Sequence, residues 1–168
     1  MQQDTKREEA LKLLEKKAGD YEELFGSCPQ GTLLALQETF NLENAQVFKA
    51  ATAMPGVALR GETCGAVIGA MMALGLVFGR EKEKPDDWLA VQKTIKACRI
   101  LCEDFEILFG SCNCKEVQHN IFGRSFELMD PKDIKAFKEA DALKKCRLPV
   151  GKAARIAGEL ILKDIDKK

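Results

Sequence analysis

An all-α fold is the class this sequence predicts: a compact multi-helix bundle around one apolar, Gly/Ala-rich central helix. Three observations carry it. Apolar residues recur at spacings of three and four, most clearly at Trp88, Val91, Ile95, Cys98, Cys102, Phe105 and Phe109. No run alternates β-branched and polar residues between turn signals, and no Asn-Gly or Asp-Gly dipeptide offers a hairpin. Residues 63–79, TCGAVIGAMMALGLVFG, carry no charge, as a helix buried on every side requires.

The elements follow in order. Within residues 1–19 an N-terminal amphipathic helix spans 5–18 and stops near Gly19, and 21–25 form a short turn ending at Gly26. Ser27, Pro29 and Gln30 have the spacing of a capping box, which starts a helix over 28–40. A further helix over 42–54 is broken by Pro55-Gly56. Thr63 caps the central helix, and Pro85-Asp86-Asp87 begins the long striped helix that Gly110 ends. Asn113 caps the next helix, a loop occupies the region around 122–131, and the last two helices cover 130–143 and 149–162, the latter opened by Pro149. With 168 residues and no low-complexity segment, the chain is expected to form a single all-α domain over 1–168.

Composition excludes some functions. Lys+Arg and Asp+Glu are 26 each, interleaved as in KREEALKLLEKK, so no net field draws nucleic acid or an acidic membrane. The uncharged run at 63–79 holds a GxxxG at Gly65–Gly69, but it is shorter than the roughly 20 residues a membrane span needs. A buried helix is the expectation. The start MQQDTKREEALKLLEKK lacks the basic and apolar regions of a secretory signal, which points to the cytoplasm. Seven cysteines in a reducing compartment suggest metal binding or redox chemistry before structural disulfides.

The cysteines sort into groups. Cys98 and Cys102 lie mid-helix on the apolar stripe and read as core residues. Cys28, Cys64 and Cys114 each follow a capping residue, and Cys146 precedes the helix that Pro149 opens. Free N–H groups and the positive end of the helix dipole favour anions there. A thiol so placed has its pKa lowered and becomes a better metal ligand or nucleophile. Small residues after Cys64 (Gly65, Ala66, Gly69, Ala70, Ala73) suit a site between closely approaching helices. No CxxC, CxxCH, HExxH, P-loop or GxGxxG is present, and His119, the only histidine, reads as a helix-surface residue or a satisfied, partly buried one. No paired-carboxylate or nucleophile–base constellation marks a catalytic site, so the sequence leaves enzyme status open.

Taken together, Cys28, then TCGAVIG, then FGSCNC, then Cys146 resembles the family described by its own pattern as C, GCAxxG, C, C. These are redox-active proteins whose domain also forms the body of the split-Soret cytochromes. The resemblance runs over residues 26–162. In the second motif the glycine follows the cysteine (Thr63-Cys64-Gly65-Ala66), and the haem attachment of the cytochrome members has no counterpart. The resemblance implies an all-α, often dimeric protein whose four cysteines hold an iron–sulfur cluster, 2Fe–2S or 4Fe–4S. Cys28, Cys64, Cys114 and Cys146 are then the ligands, with Cys112 a neighbour or spare. A role in electron transfer or redox sensing follows, with an unidentified redox partner protein. The rival expectations are a structural zinc site made of the same four cysteines and metal-free thiol–disulfide chemistry.

Overall fold

The first helix, α1 (Gln2–Phe25), is longer than its sequence suggests. Its buried positions Leu11, Leu14 and Ala18 are spaced three and four apart, and adding four more reaches Glu22, also buried. Gly19 does not stop it, because tertiary packing against Arg147 of the last helix overrides a weak local preference. The stop comes at Gly26, which adopts φ +59° and donates its N–H to the Glu22 carbonyl at 2.8 Å. The structure is a computed structural model, in which residues 2–165 are described.

Helix α2 (Cys28–Phe40) starts after Ser27 with Pro29 in its first turn, as expected. The capping box does not form, however: the Ser27 hydroxyl makes no cap bond and lies buried without a partner. Asn44 caps a short α3 (Ala45–Ala50), followed by a 3-10 turn (Ala51–Ala53), so the expected helix over 42–54 is cut down. Gly56–Leu59 then turns with the opposite hand: Gly56, Val57, Ala58 and Leu59 all have φ between +50° and +61°.

Helix α4 (Gly65–Phe78) is the central apolar helix, with Ala66, Val67, Ala70, Ala73 and Leu74 fully buried. It crosses α2 closely because Gly69 has no Cβ; one built there would lie 2.3 Å from the Pro29 carbonyl oxygen. Asp87 caps α5 (Trp88–Phe109) through Ala90 N–H, and Gly110 ends it at φ +78°. The buried face of α5 is Ala97, Leu101, Phe105 and Phe109, whereas Trp88 and Ile95 of the anticipated stripe are 63% and 55% exposed. Helix α6 (Cys114–Phe122) is capped by Asn113, whose side chain accepts from the N–H groups of Lys115 and Glu116.

Asp130 caps α7 (Pro131–Glu139). Asp141, at φ +53°, separates it from α8 (Ala142–Ile165), so the expected helix over 130–143 is two elements. Pro149 lies inside α8 rather than at its start. Helices α1 and α8 pack along each other and are tied at the surface by Arg155, which pairs with Glu8 at 2.6 Å. The buried side chains of α1, α2, α4, α5 and α8 form one apolar cluster. Among the described residues the fold is all helical, and no helix is long and apolar enough to cross a membrane.

Candidate functional site

Four separated segments bring Cys28, Cys64, Cys114 and Cys146 to the wall of one cavity of about 90 Å³. Cys28 opens α2, Cys64 is the residue just before α4, and Cys114 opens α6. A backbone stitch positions two of them. Thr63 and Asn113 form an isolated antiparallel bridge, Cys64 N–H donates to the Cys112 carbonyl at 2.7 Å, and Cys114 N–H donates to the Glu62 carbonyl at 2.5 Å. Cys146 differs from the sequence expectation: α8 begins at Ala142, so this thiol projects from within the helix and not from its N-terminus. Three of the four, not all four, therefore stand at helix starts.

Electrostatics also departs from expectation. The helix ends do not lower these thiols; burial raises all four. Cys64 is pushed up to about 12 by burial and by Cys114, while the N–H groups of Ala66 and Val67 pull the other way without forming a full side-chain cap. Cys114 rises to about 11 through burial and the nearby Glu22 carboxylate. Burial, then Glu22, also raises Cys28 and Cys146. Desolvation disfavours a thiolate more than a helix terminus favours it here. Without a cation in the cavity the four sulfurs stay protonated; a bound metal reverses that balance, because coordination deprotonates a thiol outright.

Two polar residues join the thiols. Glu22, only 2% exposed, accepts the Cys28 S–H at Oε1 (3.3 Å), and its Oε2 is buried without a partner. Burial lifts its pKa to about 7 against the lowering effect of the Cys28 hydrogen bond. A buried carboxylate with one oxygen orphaned is costly unless a cation or proton compensates it. Gln118 is positioned by accepting the Phe126 N–H at Oε1 (2.9 Å) and donates from Nε2 to the Cys114 sulfur at 3.7 Å. Sequence reasoning missed both. The signals were there: Glu22 continues the apolar stripe of α1, and Gln118 stands one helical turn after Cys114.

The left-handed turn supplies another part of the wall, through Gly56 and Leu59. A Cβ on Gly56 would stand 3.5 Å from the Cys114 sulfur, so the glycine leaves the space beside that thiol clear. Three consecutive non-glycine residues in the left-handed region are strained, each by about 1–2 kcal/mol. Such strain concentrates at functional sites.

The remaining cysteines lie elsewhere. Cys112 is absent from the cavity wall and turns toward α5, its sulfur 3.7 Å from the Cys102 carbonyl oxygen. Cys98 and Cys102 are half-buried at the edge of the core. His119 is exposed on α6, as a helix-surface residue should be.

Four soft sulfur donors and a hard carboxylate with one orphaned oxygen fit a cationic centre. As the side chains stand, no three His, Cys, Asp or Glu among the described residues converge tightly enough to hold a single metal ion. All four thiols line the cavity. A family model described as "Putative redox-active protein (C_GCAxxG_C_C)" matches residues 26–160. No curated protein and no solved structure matches the chain.

Proposed function

We start from the family to which this chain belongs, the redox-active proteins of the C_GCAxxG_C_C pattern, and propose that it binds one iron–sulfur cluster through Cys28, Cys64, Cys114 and Cys146. Its role is then electron transfer or redox sensing. The observation that carries the reading is that four thiols and a buried carboxylate with one unpartnered oxygen line a single cavity. Four cysteine ligands suit a two-iron or a four-iron cluster, which when bound supplies one-electron chemistry.

The chain's own residues have separate tasks. Gln118 donates to the Cys114 sulfur, and hydrogen bonds to ligand sulfurs tune reduction potential. The apolar wall, which includes Val117, Ile121, Phe126 and Leu143, keeps water from the sulfurs. Glu22 adds negative charge beside the thiols, which lowers the potential of any cation held there.

Inorganic sulfide separates a cluster from a single tetrahedral zinc. Anaerobic purification followed by absorption spectra and iron, sulfide and zinc counts tests this. Iron with equimolar sulfide and visible absorption is expected. A colourless protein without iron, or one with zinc and no sulfide, overturns the cluster reading.

A further inference from the structure

Three cysteines lie outside the four-thiol cavity, and two of them are brought together. Cys98 and Cys102 sit one turn apart on α5, and Cys112 follows the Gly110 stop that ends that helix. The reversal at Gly110, φ +78°, folds the chain back so that the Cys112 sulfur lies 3.7 Å from the Cys102 carbonyl oxygen. The Cys112 S–H donates to that carbonyl, which sets its sulfur beside the residue that bears the Cys102 thiol. Both are half-buried, so a small oxidant reaches them more readily than it reaches the buried Cys64 or Cys146.

We propose that Cys102 and Cys112 form a second redox site, a dithiol that a disulfide-bearing oxidant converts into an intramolecular disulfide. The Cys112 proton is held against the Cys102 carbonyl, so the Cys102 sulfur is the one that attacks. As the thiolate it bonds to one sulfur of the oxidant, the oxidant's S–S bond breaks, and the first thiol leaves. Cys112 then attacks the Cys102 sulfur of this mixed disulfide, and the second thiol leaves. Two protons and two electrons have passed from the pair to the oxidant, which ends as two thiols.

The pair is wired to the cavity through the backbone. The Cys112 carbonyl accepts the Cys64 N–H, Asn113 bridges to Thr63, and Cys114 follows directly. A covalent tie at Cys112 fastens to α5 the very segment that holds Cys64 and Cys114 in place. This second site stands whatever the cavity binds.

The test equilibrates the anaerobically purified full chain with stepped ratios of oxidised to reduced glutathione, then traps free thiols by alkylation. Cleavage after Glu103 and Glu106 separates Cys102 from Cys112, and tandem mass spectrometry distinguishes Cys112 from Cys114. The expected result is the joint loss of two alkylatable thiols in a Cys102–Cys112 crosslink that dithiothreitol reverses. Cys98→Ser keeps the crosslink and Cys112→Ser abolishes it. If Cys102 and Cys112 stay alkylatable, or the crosslink joins Cys98 to Cys102 or Cys112 to Cys114, the proposal fails. Should a variant fold poorly, the map of the unaltered chain decides alone.

Discussion

The Cys28 thiol donates to Glu22 Oε1 at 3.3 Å, and the other oxygen of that carboxylate is buried with no partner. An acid in this state is stable folded only when protonated or faced by a cation, and this controls the metal-free protein's response to pH.

Glu22 titrates at about 7 when folded, against an ordinary value of 4.5. Below pH 4.5 it is neutral in both states. Between 4.5 and 7 the folded chain keeps a proton that the unfolded chain releases, so stability falls as pH rises, by about 3 kcal/mol at most, and then levels off. Urea unfolding of the metal-free protein between pH 4.5 and 8 should show this decline, and Glu22→Gln should flatten it. An equal slope in both proteins would show that Glu22 is not its source.

Replacing Cys28, Cys64, Cys114 or Cys146 singly by Ser is expected to cut bound iron to below half, whereas Cys112→Ser keeps it. Iron and sulfide counts on anaerobic preparations read this out. Iron lost with Cys112 and retained without Cys114 would reverse their assignment.

Gly69 and Gly75 lie on the same helix in opposite surroundings. A Cβ at Gly69 meets the Pro29 carbonyl at 2.3 Å, while one at Gly75 meets nothing within 4 Å. Gly69→Ala should destabilise by about 2–3 kcal/mol, as overpacking of a helix crossing does. Gly75→Ala should stabilise by about 0.5–1 kcal/mol through helix propensity. Thermal unfolding of the two variants checks the contrast, and similar melting temperatures would contradict the close α2–α4 approach.

The left-handed turn makes an unusual forecast for Ala58, at φ +57°. Ala→Gly at an ordinary position loses roughly 0.5–1 kcal/mol through chain entropy. Here relief of strain offsets that, so Ala58→Gly should be neutral or stabilising. Denaturant midpoints measure it; a loss of a full kcal/mol would mean that no strain is relieved there.

Much of the architecture was legible because helix patterns are local. The Gly110 stop, the Asn113 cap and the uncharged central helix all follow from neighbouring residues. Gly19 and Pro149 misled for the opposite reason: both lie inside long helices, α1 and α8, whose mutual packing outweighs a local breaker. Reading Gly19 as a stop also hid Glu22, which shares a face with Leu14 and Ala18 only if the helix continues. The thiol pKa directions depended on burial depth, a tertiary quantity that no spacing reveals. The left-handed turn had only Pro55-Gly56 to announce it, and those residues signal a break without saying which hand it takes.

The distance along the chain between Cys28 and Cys146 has a consequence for biosynthesis. Ribosomes add about 5–20 residues each second, so on the order of ten seconds separates the appearance of the first of these thiols from the last. During that interval the cavity has no fourth wall, because the helix bearing Cys146 also packs on α1 and α2. Up to three thiols stand open to stray copper, zinc or oxidant before the cavity can close. If the cavity holds the proposed cluster, its loading is a late event, and those early cysteines have to stay reduced and unclaimed until α8 arrives.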